Sequence, residues 1–138
     1  MNTYAKYFSL VVRVGVVGNL IITIPGILVP GVIFDLLNLG DAVPDVWARL
    51  ASWLLLLLSL TYLPAANNPF MSKMLSSLTV LARFGGFLFM TFSTIILSLS
   101  FGFVLLGVYD LIFGVPQAIL LYLAYRANRQ PSFEGFNS

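Results

Sequence analysis

The sequence predicts an all-α fold of the integral membrane class, a four-helix bundle that crosses the bilayer four times with cytoplasmic N and C termini. Three observations carry this expectation. Of 138 residues, 59% are hydrophobic and only 9% charged, against roughly a quarter charged in soluble domains. A soluble fold of that composition would have to expose large contiguous apolar patches. The apolar residues also gather into four stretches close to the length that a helix rising about 1.5 Å per residue needs to cross a hydrocarbon core of about 30 Å. Finally, drawing four spans puts Lys6, Arg13, Lys73, Arg83, Arg126 and Arg129 on one side, and leaves Arg49 on the other with Asp35, Asp41 and Asp45. Lys and Arg beside short loops favour the cytoplasmic face.

The expected spans are about 7–28, 46–64, 78–97 and 101–124, within a single transmembrane domain of residues 1–127. The first carries Pro25-Gly26, where a helix kinks or ends because proline removes a backbone donor. Its apolar run is too long for a signal-peptide core. The stretch from Ile27 to Leu39 holds Pro30, Gly31 and Asp35 and reads as a short amphipathic segment at the membrane surface. Pro44 and Asp45 are start signals for the second span, its centre from Trp53 to Leu60 is rich in leucine, and Pro64 closes it. Ala65 to Phe70 reads as a loop.

From Leu75 to Tyr125 only Arg83 and Asp110 interrupt the apolar sequence. Two spans with a tight connection near Ser98 to Phe101 fit this length. The rival is one span from Phe84 to Tyr109, which leaves Leu111 to Tyr125 too short to cross and splits the basic residues between the two sides. Trp47 and Trp53 fall toward the outer interface, and Tyr4, Tyr7, Tyr122 and Tyr125 toward the inner one, as an aromatic belt requires. The polar tail, 128–138, is expected to be mobile unless a partner holds it.

Composition also narrows the chemistry. The chain has no cysteine and no histidine, which removes disulfides, thiolate clusters, the usual haem ligand, the commonest zinc ligand and the usual general base near neutral pH. No metal site and no cofactor are expected. A net charge of +2 without a basic stripe gives no support to nucleic-acid binding. The sequence contains no GxGxxG, Walker, HExxH or GxSxG pattern.

The candidate site lies inside the membrane. An ionisable side chain there costs about 2.5–3.5 kcal/mol on insertion scales, so Asp110, well inside the fourth span, needs an explanation. Gly107, Asp110, Gly114 and Gln117 share one helical stripe by their spacing. Matching stripes are Gly15, Asn19, Ile22 and Gly26 on the first span, Ala48, Ser52, Ser59 and Tyr62 on the second, and Thr79, Arg83, Gly86, Met90 and Ser93 on the third. Together these stripes are expected to face the interior, small residues allowing close approach and polar ones bonding across helices. Counting along the spans puts Asn19 level with Asp110 and Arg83 level with Gln117, roughly 10 Å closer to the cytoplasm. At that offset an extended Arg83 only just reaches Asp110. Asn19, Arg83, Asp110 and Gln117 are therefore either a structural network that fixes helix pairing or a ligand- or proton-handling site built on Asp110.

Over about 120 residues, the order of features resembles the DoxX-like class of small four-helix bacterial membrane proteins. Gly18-Asn19-Leu20, Pro25-Gly26, the step Trp47 to Arg49, Tyr62-Leu63-Pro64-Ala65-Ala66, Ala82-Arg83-Phe84-Gly85-Gly86, Tyr109-Asp110 and Phe113-Gly114-Val115-Pro116-Gln117 carry the resemblance. It implies a bacterial inner membrane location and a companion role beside quinone-linked oxidation systems, and it brings no catalytic residues with it.

The leading functional expectation is an accessory or scaffold subunit of a larger membrane complex, the resemblance implying a quinone-linked one, with lipids and a protein complex or further copies of the chain as partners. A small oligomeric transporter or channel using Asp110 and Asn19 is the second reading. A lipid- or quinone-directed enzyme is the third, with Asp110 as acid and Arg83 as anion clamp. One acid without a titratable partner supports it little, so a non-enzymatic role is favoured.

Overall fold

A computed structural model describes residues 1–41 and 44–129. The described residues form five helices and no strand: α1 (Thr3–Leu28), α2 (Pro30–Leu36), α3 (Asp45–Asn67), α4 (Lys73–Leu97) and α5 (Gly102–Arg129). All but α2 are long and apolar enough to cross a membrane, so this is a multi-pass membrane protein by length and composition. Each long helix touches two others, in the cyclic order α1, α3, α4, α5. Leu10, Val17, Ile21 and Ile24 of α1 and Phe89, Phe92, Ile95 and Ile96 of α4 all face outward, as lipid-facing side chains do.

Local chemistry sets the ends of the helices. The Asn2 side chain accepts from the Ala5 amide at 2.9 Å and starts α1 at Thr3, one turn earlier than hydropathy places it, because a cap satisfies donors that an apolar count does not see. Asn2 also donates to the Ala124 carbonyl at 2.8 Å, which holds the start of α1 against the far part of α5. At the other end of the molecule the Arg49 guanidinium donates to the Ile27 and Leu28 carbonyls. It thereby meets acceptors that the C-terminus of α1 leaves without helical partners.

Of the two prolines, Pro25 is expected to kink or end a span drawn to 28, and Pro64 to close its span; neither ends its helix. Pro25 lies inside α1, and the Val29 amide still bonds its carbonyl at 2.7 Å. Pro64 lies inside α3, which runs on to Asn67, so 65–67 is helix and not loop. A proline removes one donor and crowds the preceding turn. Here packing outweighs that, since Ala65 and Ala66 are fully buried and the Asn68 amide bonds the Pro64 carbonyl at 3.1 Å. The stretch around Pro30 forms the short α2 with proline in its first turn, while Ile27 and Leu28 still belong to α1.

Between α4 and α5 the chain turns at Ser98, which takes the left-handed conformation (φ 51°) and closes α4 through a bond to the Thr94 carbonyl. That break lies inside the single span of the rival reading. Asn128 and Arg129 belong to α5, while 130–138 lie outside the described residues.

The apolar core occupies one half of the molecule, the half nearer the N-terminus and the α3–α4 connection. Phe8, Val12 and Val16 of α1, Tyr62 and Ala66 of α3 and Leu121 of α5 form it. Toward the α2 end the buried helix positions are Asn19, Thr23 and Gly26 on α1, Ala48 and Ser59 on α3, and Gly102 and Gly107 on α5. Arg83 lies at the boundary between the halves.

Candidate functional site

Antiparallel neighbours in steady register build the site. On α1 and α3, Gly26 meets Ser52 and, seven residues back on one helix and seven forward on the other, Asn19 meets Ser59. On α4 and α5, Gly114 lies against the Cβ of Arg83, Gly86 against the carboxylate of Asp110, and Gly107 against Met90 and Phe87. A Cβ at position 114 would come within 3.0 Å of the Arg83 Cβ, so glycine here is what lets the two backbones approach.

That register corrects the vertical offset expected from the span boundaries. Arg83 lies opposite Gly114, and Asp110 is one helical turn away, about 6 Å along the axis. The pairing therefore closes easily. Arg83 Nη1 donates to Asp110 Oδ1 at 2.5 Å and to Asn19 Oδ1 at 3.2 Å. Asn19 Nδ2 in turn donates to Ser59 Oγ at 2.7 Å, and the Ser59 hydroxyl donates to the Leu55 carbonyl at 2.7 Å. One chain of polar contacts thus ties α5 to α4, α1 and α3.

Aromatic rings complete the surroundings. The guanidinium carbon lies 5.7 Å from the ring centres of Tyr62 and Tyr109 and 5.6 Å from that of Phe113, within the range where a ring face attracts a cation. Gly15 gives Arg83 Nη2 its room, and Gly18 admits the Tyr109 hydroxyl. A guanidinium serves here better than an ammonium because its plane stacks on rings while its edges donate. The Arg83 side chain is 2% exposed and that of Asp110 24%, so the acid is the accessible member of the pair.

Of the four residues expected at the site, Asn19, Arg83 and Asp110 are joined by hydrogen bonds. Gln117 is fully buried, but neither its amide nitrogen nor its oxygen has a partner among the described residues. Ser59 and Tyr62 come to the site from the α3 stripe. Hydropathy alone did not mark Tyr109 and Phe113. The usable signal was their four-residue spacing astride Asp110, which places two rings beside an acid on one helix. No group of three or more metal-ligating side chains occurs among the described residues.

Compared with protein-family models, curated proteins and solved structures, the chain finds no match, so the site is interpreted from its own geometry.

Proposed function

We propose that this chain is an accessory or scaffold subunit of a larger membrane assembly, a four-helix bundle in a bacterial inner membrane with both termini cytoplasmic. Association with a quinone-linked oxidation system is part of this reading and rests on the DoxX-like resemblance. The observation that carries the proposal is the closure of the polar network. Arg83, at 2% exposure, is bonded to Asp110 and Asn19 and enclosed by three rings, an arrangement suited to holding four helices in one register. With short connections outside the membrane, recognition falls to lipid-facing helix surfaces and terminal segments. Orientation follows from charge, since Lys6, Lys73, Arg126 and Arg129 accompany the termini and the α3–α4 connection, opposite Asp35, Asp41 and Asp45.

A transporter or channel is the second reading, and one observation favours it: Asp110 keeps 24% of its side chain accessible. Purification in a gentle detergent at native abundance, followed by mass spectrometry, separates the two. A stoichiometric protein partner is the expected result. A homogeneous self-oligomer that carries protons or solutes across liposomes would overturn the accessory reading.

A further inference from the structure

We propose that the interior on the α2 side of Arg83 is a hydrated half-channel, delivering water and protons to Asp110 from that end of the molecule and closed below by the apolar core. The proposal is independent of the accessory-subunit reading, because a structural subunit and a transporter could each contain such a path.

The first support is the asymmetry of the interior. Below the guanidinium the interior is packed by Phe8, Val12, Val16, Ala66 and Leu121, with Ser9, Ser76 and Thr79 bonded to backbone carbonyls and Gln117 enclosed there without a polar partner among the described residues. Above the guanidinium every buried position on α1, α3 and α5 is small or polar, and α4 has no buried residue beyond Arg83.

The second is the behaviour of the hydroxyls. Ser9, Ser59, Thr61, Thr79 and Thr94 each donate to a carbonyl in the preceding turn of their own helix. Thr23 and Thr91 do not. Their hydroxyls are buried and have no partner among the described residues, and Thr23 is 0% exposed. Thr23 stands one turn beyond Asn19 on the same face of α1. Thr91 stands five residues, about 7.5 Å of helix rise, beyond Gly86, which faces Asp110. Both therefore lie on the α2 side of the ion pair, above the acid. A buried hydroxyl without a partner is costly, and ordered water satisfies such groups where a site is polar. Two from different helices, over a carboxylate that is itself partly accessible, mark out a route.

The third is the guanidinium. Its Nε and Nη2 also have no partner among the described residues, while the Asp110 charge already balances that of Arg83. Nη2 lies beside Gly15, level with the top of the apolar core, so this edge stands at the floor of the route, where a neutral acceptor such as water suits it.

The sequence holds no cysteine, so single-cysteine variants report without further changes. Thr23→Cys and Thr91→Cys are close in size to the native residue. They would be reconstituted in phosphatidylcholine–phosphatidylglycerol liposomes, with Val12→Cys as the core control and Leu99→Cys and Lys6→Cys as references for the two ends. A small, charged, membrane-impermeant methanethiosulfonate is the probe, since it needs a hydrated thiolate. Thr23→Cys and Thr91→Cys should react at least about tenfold faster than Val12→Cys, and only from the side on which Leu99→Cys reacts. Failure to react, or reaction from the Lys6 side, overturns the half-channel. A readout independent of probe size is the infrared guanidinium absorption of the native chain, in which Arg83 is the one buried arginine of five. Complete deuteration within seconds of transfer to heavy water is expected, and a fraction protected for hours would overturn the proposal.

Discussion

Arg83 is the largest fully buried side chain among the described residues, and its environment explains how a membrane interior holds a charge. One nitrogen takes the Asp110 carboxylate and the Asn19 carbonyl oxygen, and three rings take the flat faces. Breaking such a pair from one side leaves the other charge uncompensated, typically a loss of 3–5 kcal/mol, whereas replacing both partners by apolar groups is often close to neutral. Arg83→Ala and Asp110→Ala should therefore each lower folded accumulation sharply, with the arginine-free variant less severe wherever water reaches Asp110. The double variant Arg83→Leu/Asp110→Leu should recover most of it. Thermal unfolding in detergent, read as a double-mutant cycle, checks this; strictly additive losses would count against a working pair. Arg83→Lys should recover little, since an ammonium neither stacks on the rings nor bonds in the same plane.

Among helices, the glycines of α4 make the sharpest comparison. Gly85 and Gly86 are adjacent, yet a Cβ at 85 meets nothing within 4 Å while one at 86 runs into the Asp110 carboxylate. Gly85→Ala should be neutral or stabilising by up to about 1 kcal/mol through helix propensity. Gly86→Val should be destabilising by about 1–3 kcal/mol through overpacking, and should also loosen the ion pair. Unfolding midpoints of the two variants side by side decide the matter, and equal effects would mean that α4 and α5 do not meet in this register. The same element scale explains Pro64. Composition marks it as a stop, but the burial of Ala65 and Ala66 continues α3 for another turn, an example of packing overriding local propensity.

Across the whole molecule, polarity divides along the long axis. One end gathers the N-terminus, the end of α5 and most of the basic residues; the other carries α2, the α4–α5 turn and the acidic residues of the first connection. Reporter fusions test the orientation this implies. A fluorescent protein joined to either terminus should be bright, and alkaline phosphatase inserted between Ser98 and Phe101 should be active. The reverse pattern would invert the topology, and a split between the termini would mean an odd number of spans.

Much of this was legible in the sequence because a bilayer imposes strict rules. A run of about 20 apolar residues is a length requirement, so four long helices and the turn near Ser98 follow from hydropathy, and the small and polar stripes follow from the helical period. Those stripes named Asn19, Arg83, Asp110, Ser59 and Tyr62 as interior. What they left open was vertical register, because span boundaries read from hydropathy drift by a turn at either end, as the Asn2 cap and the Pro64 continuation show. Tertiary structure decided it through close contacts at Gly86 and Gly114, which place Arg83 one turn from Asp110 where counting along the spans put it near the limit of its reach. It also decided that Gln117, on the same stripe, stays outside the hydrogen-bonded network. A stripe specifies the direction a side chain faces, while partnership depends on which atoms the neighbouring helix brings within about 3 Å.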